Sequence, residues 1–98
     1  MLIHHDGLTF ELQHHDVVAV RAIGPTRLHV AFDDGLAGEL DLDAFTPWTG
    51  VFQALRDDPA LFAQVTVHPE LKVVCWPNNA DMDSAVLHAR LAAALRGR

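Results

Sequence analysis

Residues 27–42 read RLHVAFDDGLAGELDL. Leu28, Val30 and Phe32 alternate with Arg27, His29 and Ala31, which is the period of a half-buried strand. Asp34 and Gly35 then form a hairpin signal, because both residues tolerate the reversed dihedrals of a tight turn. Residues 36–42 supply the return strand, with Leu36 and Leu40 directed inward. Gly38 marks a bulge or a close approach of backbone. Upstream, residues 17–23 read as a further strand with Val18, Val20 and Ala22 on one side, and Gly24 and Pro25 interrupt it before Arg27. The expectation is an antiparallel meander of three strands.

Two segments are expected to cover and extend this meander. Residues 44–55 carry Phe45, Trp48, Val51, Phe52 and Leu55 at three- and four-residue offsets, an apolar cap that Pro47 and Gly50 keep from being one continuous helix. Residues 57–83, DDPALFAQVTVHPELKVVCWPNNADMD, open on a helix start. Asp57 or Asp58 can cap free N–H groups there, and Pro59 fits the first helical position because no donor is needed. A short helix with Leu61 and Phe62 inward should feed a strand hairpin broken by Pro69 and Glu70. Pro77 holds Trp76 out of helix, and Asn78 and Asn79 suit a tight turn. Asp81 or Asp83 then caps a final helix, in which Leu87, Leu91 and Leu95 make an apolar line with Val86 and Ala94 beside it. The fold class is therefore α+β: a small antiparallel sheet built from hairpins, covered by short helices and a C-terminal helix.

Ninety-eight residues suit one compact domain spanning 1–98. Residues 1–15 read as an N-terminal strand extension, in which Leu8, Phe10 and Leu12 alternate with polar neighbours. The 50% hydrophobic content argues against disorder. A net charge of −6, from 13 acidic and 7 basic residues, disfavours nonspecific nucleic acid and anionic membranes as partners. No apolar run reaches the roughly 20 residues needed to cross a bilayer. Cys75 is the one cysteine; it precludes an internal disulfide and reads as an ordinary buried thiol. Without a basic region and an apolar core at the N-terminus, a signal peptide is not expected, and cytoplasmic residence is the default.

Chemistry-bearing residues are few, and each has a plain structural reading beside the functional one. Histidine pairs occur at His4–His5 and His14–His15, the second followed by Asp16. Adjacent strand residues face opposite ways, so each pair offers one ligand per face. A metal site from His4, His14 and Asp16 is the functional reading, and solvated histidines the plainer one. Asp41 and Asp43 share a strand face but more simply solvate and cap the turn that follows. His68, Pro69 and Glu70 resemble a turn more than a catalytic pair. Trp48 and Trp76 would line a small-ligand cavity or fill the core. Asn78, Asn79 and Asp81 would contact a ligand or partner, or merely close their turn. Interface candidates are Leu8, Phe10 and Leu12 on the N-terminal strand, and Leu87 and Leu91 on the final helix.

Taken as an ordered set, Leu28-x-Val30-x-Phe32-Asp33-Asp34-Gly35, Asp41-Leu42, Leu55-Arg56-Asp57, Leu61-Phe62 and Trp76-Pro77-Asn78 with Asp81 resemble domain of unknown function family 2442 over roughly residues 16–88. The family pattern places glycine after tryptophan-proline-asparagine. Here Asn79 stands in that place and still tolerates a left-handed backbone. The resemblance implies a compact, often bacterial α+β domain with no established activity and no catalytic residues to carry over. Some relatives bear an added helix-turn-helix segment, which is not expected here, since the sequence read ends at Arg98. Others are encoded beside a second small protein, in a toxin–antitoxin-like arrangement.

The expected function is a noncatalytic interaction or accessory domain, self-associating or bound to a small protein, with no cofactor. The alternatives are a transcription-regulatory or nucleic-acid-associated module, or a small hydrolase or metal-dependent enzyme. The enzyme readings have no HExxH, phosphate-loop or nucleophile-elbow motif behind them.

Overall fold

A computed structural model describes residues 2–5, 8–11 and 15–97, with side chains from 15 to 97. The meander is present. Strands β3 (Val17–Ala22), β4 (Arg27–Phe32) and β5 (Ala37–Asp41) form an antiparallel sheet in the order β3-β4-β5. Leu28, Val30 and Phe32 of β4 are buried, as their alternation requires. Ahead of the meander, β1 (Leu2–His5) and β2 (Leu8–Glu11) pair as a separate two-stranded ladder.

The turn after β4 differs in detail from the expected one. Phe32 N–H donates to the Leu36 carbonyl, and Gly35 N–H donates to the Phe32 carbonyl at 3.0 Å. The loop therefore spans three residues, and Gly35 alone takes a reversed φ, of 91°. Asp34 keeps an ordinary φ and contributes its carboxylate, whose Oδ1 accepts from Leu36 N–H at 3.0 Å.

Strand β3 corrects the sequence reading. Val17 opposes Phe32 and Ala19 opposes Ala31, so Val18 is an extra residue in a β-bulge. The bulge turns Val18 outward, 58% exposed, and turns Val17 fully into the core. The inward set is Val17, Val20 and Ala22 rather than Val18, Val20 and Ala22. At Gly38 the register is regular, with Val30 opposite, so no bulge occurs there. A Cβ at Gly38 would stand 3.0 Å from Leu91 Cδ1, which identifies the glycine as the place where the last helix meets the sheet.

A second antiparallel sheet is built from two-residue strands, β6 (Thr66–Val67), β7 (Val74–Cys75) and β8 (Asp81–Met82), in the order β6-β7-β8. Val17 N–H donates to the Lys72 carbonyl at 2.9 Å and ties the first sheet to the β6–β7 hairpin. In that hairpin His68 Nδ1 accepts from the N–H groups of Glu70 and Leu71, at 3.1 and 3.0 Å. His68 thus organises a turn, as its setting suggested.

Between the sheets, Asp41 caps a 3-10 turn at Leu42–Ala44 through Asp43 N–H and also accepts from the Thr26 hydroxyl. The apolar cap expected at 44–55 divides at Gly50, whose φ of 58° starts α1 (Val51–Asp57). Asp58 accepts from Ala60 and Leu61 N–H and caps α2 (Pro59–Phe62), with Pro59 in the first turn. Asp83 caps α3 (Ser84–Arg96) through Ala85 N–H. One buried cluster joins Leu28, Val30 and Leu40 of the meander, Leu55 of α1, Phe62 of α2, Val74 of β7, and Leu87 and Leu91 of α3. Among the described residues no helix is long and apolar enough to cross a membrane.

Candidate functional site

The corner at residues 76–81 is built as an internal staple. Trp76 is 3% exposed, its indole N–H donates to the Phe62 carbonyl at 3.0 Å, and its ring lies against Phe62. Asn78 Nδ2 donates to the Val51 carbonyl at 2.9 Å, while its Oδ1 accepts from Ala80 N–H at 3.1 Å. Asn79 takes the left-handed conformation, with φ of 71°. Asp81 is exposed on β8. These contacts commit Trp76 and Asn78 to holding α1, α2 and the second sheet together, which is the plain structural reading of the motif.

Other predicted residues are likewise absorbed by the fold. Leu87 and Leu91 are fully buried in the chain's own core. Val86, expected beside the buried line, is instead 50% exposed. Trp48 is half-buried, with its indole N–H on Asp43 Oδ1 at 2.7 Å and the Arg56 guanidinium 5.7 Å from its ring. Cys75 is half-buried, not fully enclosed, because it alternates with the buried Val74 on a short strand. Leu8 and Phe10 lie on β2 and His4 on β1, but their side chains, like all of Leu12 and His14, fall outside the described residues. Asp16 is half-buried, and its carbonyl accepts from Asp33 N–H at 2.9 Å.

Two features outside the predicted set carry more chemistry. The first is an apolar groove where residues 45–52 cross the start of α3, with a cavity of about 180 Å³. It is lined by Phe45, Thr46, Pro47, Phe52, Met82 and Val86, with Leu87 and Asp83 completing the wall. The Arg90 guanidinium lies 5.0 Å from the Phe45 ring. Thr46 Oγ1 is buried without a hydrogen-bond partner. Trp48, read from sequence as a cavity residue, is not part of this lining.

The second feature is a side-chain cluster of His15, Asp34 and His88. His88 Nε2 lies 2.8 Å from Asp34 Oδ2, and His15 Nε2 lies 3.8 Å from the same oxygen. The two imidazoles stack with centroids 4.3 Å apart, and the Phe32 ring meets His88 edge-on at 4.9 Å. His15 Nδ1 is 3.3 Å from Asp33 Oδ1. The His88 hydrogen bond, and then the Leu36 N–H, hold the Asp34 carboxyl below its ordinary range.

A family model described as a protein of unknown function (DUF2442) matches residues 17–91. The chain belongs to this family. Within the DUF2442 domain the match takes in the meander, both short helices, the second sheet and α3 as far as Leu91, close to the span of 16–88 read from the motifs. It includes Asp34 and His88 and leaves out His15. No curated protein and no solved structure matches the chain.

The groove and the cluster escape a reading of the sequence for different reasons. Groove residues resemble core residues in type, and only packing reveals that Val86 and Phe52 stop short of full burial. The cluster joins residues 54 positions apart at Asp34 and His88. Its one sequence signal is the His14–His15 pair, of which the second member takes part in the cluster.

Proposed function

We propose that this DUF2442 domain is a noncatalytic interaction module that seats an apolar side chain of a small partner protein in the groove between residues 45–52 and α3. The observation that carries this reading is the groove itself, in which half-exposed Val86 and half-buried Phe45 and Phe52 surround an apolar hollow. Apolar surface held in water gains free energy when a partner covers it, by about 25 cal/mol for each Å² buried. The cavity of about 180 Å³ is smaller than the roughly 300–1,000 Å³ usual for small-molecule sites and better suits a single anchoring side chain. Asp83 in the lining, and Arg90 beside the Phe45 ring, supply polar groups near the hollow that can orient such a contact.

A small protein of the kind encoded beside some relatives suits this role, and so does a second copy of the chain. The cytoplasm is the compartment we assign, in keeping with a lone thiol and with the lack of a membrane-crossing helix among the described residues. The test is native mass spectrometry of untagged protein purified from its original cells, beside the variant Val86→Asp. Val86 is 50% exposed, so the charge should leave the core intact. The expected result is a small partner at fixed stoichiometry with the parent chain and its loss with Val86→Asp at unchanged melting temperature. A dimer that Val86→Asp dissolves assigns the groove to a second copy. A bare monomer from the parent chain overturns the interaction reading, and a partner retained by Val86→Asp overturns the groove.

A further inference from the structure

We propose that His15, Asp34 and His88 bind a divalent metal ion of the zinc class, which clamps α3 and the segment entering β3 onto the β4–β5 turn. This site is separate from the groove and stands whether or not the groove takes a partner. Two imidazoles and one carboxylate are a donor set suited to borderline ions such as zinc. One atom from each residue lies within 4.8 Å of the others. A tetrahedral ion with bonds of about 2.0–2.2 Å needs its ligand atoms roughly 3.4 Å apart. Ligation therefore requires the 2.8 Å contact from His88 to Asp34 to open and the 3.8 Å contact from His15 to close, each by less than about 1 Å.

What surrounds the three atoms favours ligation over a chance meeting of polar groups. Asp34 commits Oδ1 to Leu36 N–H, which leaves Oδ2 to face both imidazoles. Asp33 Oδ1 lies 3.3 Å from His15 Nδ1, so the tautomer that carries its proton on Nδ1 donates to Asp33 and keeps Nε2 free to bind the ion. A carboxylate holding the far nitrogen of a ligand histidine is the common supporting arrangement at metal centres. The Phe32 edge and the stacked His15 ring fix the plane of His88. The side chains of His15 and His88 are each 21% exposed and that of Asp34 34%, so an ion can enter and water can fill the remaining coordination position. Binding balances simply: the ion takes the place of the His88 Nε2 proton, which leaves to solvent.

The experiment is a Co²⁺ titration of the full-length, untagged chain followed by visible d–d absorption, with Zn²⁺ as competitor. The expected outcome is saturation at one ion per chain, displacement by Zn²⁺ and a raised melting temperature. Asp34→Asn and His88→Gln should each weaken uptake by more than about tenfold, and Asp33→Asn by about tenfold. A variant with His4, His5 and His14 all changed to alanine should bind like the parent. Uptake unchanged in Asp34→Asn and His88→Gln, uptake abolished in the three-alanine variant, or no uptake at millimolar ion would each overturn the proposal. Nitrogen NMR of the parent chain with Zn²⁺ gives a readout that does not depend on how any variant folds. His15 and His88 Nε2 signals must shift while His29 and His68 stay in place, and the reverse pattern overturns the site.

Discussion

The two three-stranded sheets of this domain are stabilised in different ways. The meander has strands of five and six residues, with long backbone ladders broken only by the bulge at Val18 and with an alternating buried face on β4. The second sheet has strands of two residues, too short to hold their own register. It keeps its shape through side chains that reach out of it, Trp76 to the Phe62 carbonyl and Asn78 to the Val51 carbonyl. Regular secondary structure can therefore be a cause in one half of a small domain and a consequence in the other. In the first half, pattern makes strands and strands make the core. In the second, tertiary anchors come first and the strand pairing follows from them.

The largest expected effect comes from removing the anchor. Trp76→Ala should destabilise by about 3–5 kcal/mol, because it deletes the largest ring in the cluster and the hydrogen bond to Phe62. Chemical denaturation measures the loss. Hydrogen exchange sharpens it: amides of β6–β8 should lose protection while those of β3–β5 keep theirs. Equal loss across both sheets would sink the distinction. Asn78→Ala comes next, at about 1–3 kcal/mol, since it leaves the Val51 carbonyl and the Ala80 N–H short of partners. Its exchange effect should again be confined to the second sheet and the start of α1.

The smallest effect belongs to the meander's own turn. The folded state holds the Asp34 carboxyl below its ordinary value of 3.8, chiefly through His88. Its contribution to stability is thus complete above the ordinary carboxylate range and is lost as pH falls through the depressed folded value. In metal-free protein, Asp34→Asn should flatten the acid limb of a stability–pH curve below about pH 4. It should leave the neutral-pH contribution of Trp76 unchanged. An acid limb of the same slope in parent and variant would show that Asp34 has no part in it.

How much is legible in the sequence follows the same division. The alternation in residues 27–32, the Asp58 and Asp83 caps and the left-handed Asn79 all depend on neighbours in sequence, and each is where local chemistry puts it. Periodicity misplaces Val18 because a bulge moves one residue to the other face, and a bulge leaves no trace in the hydrophobic pattern. It misplaces Val86 because the width of a helix's buried stripe is set by the surface that it meets. Crowding of histidines in the sequence points to His4, His14 and Asp16 as metal ligands. The side chains of His4 and His14 lie outside the described residues, and among those described the fold gathers His15 with Asp34 and His88, which no spacing rule connects.

Sequence alone thus determined the α+β class, the meander, the helix starts and membership of the family, because strand period, capping chemistry and turn residues act over a few positions. Tertiary structure alone decided which apolar side chains stay in water, which tryptophan becomes an anchor, and which imidazoles share a carboxylate. Those outcomes depend on distances between residues tens of positions apart, and such distances exist only once the chain has folded around its core.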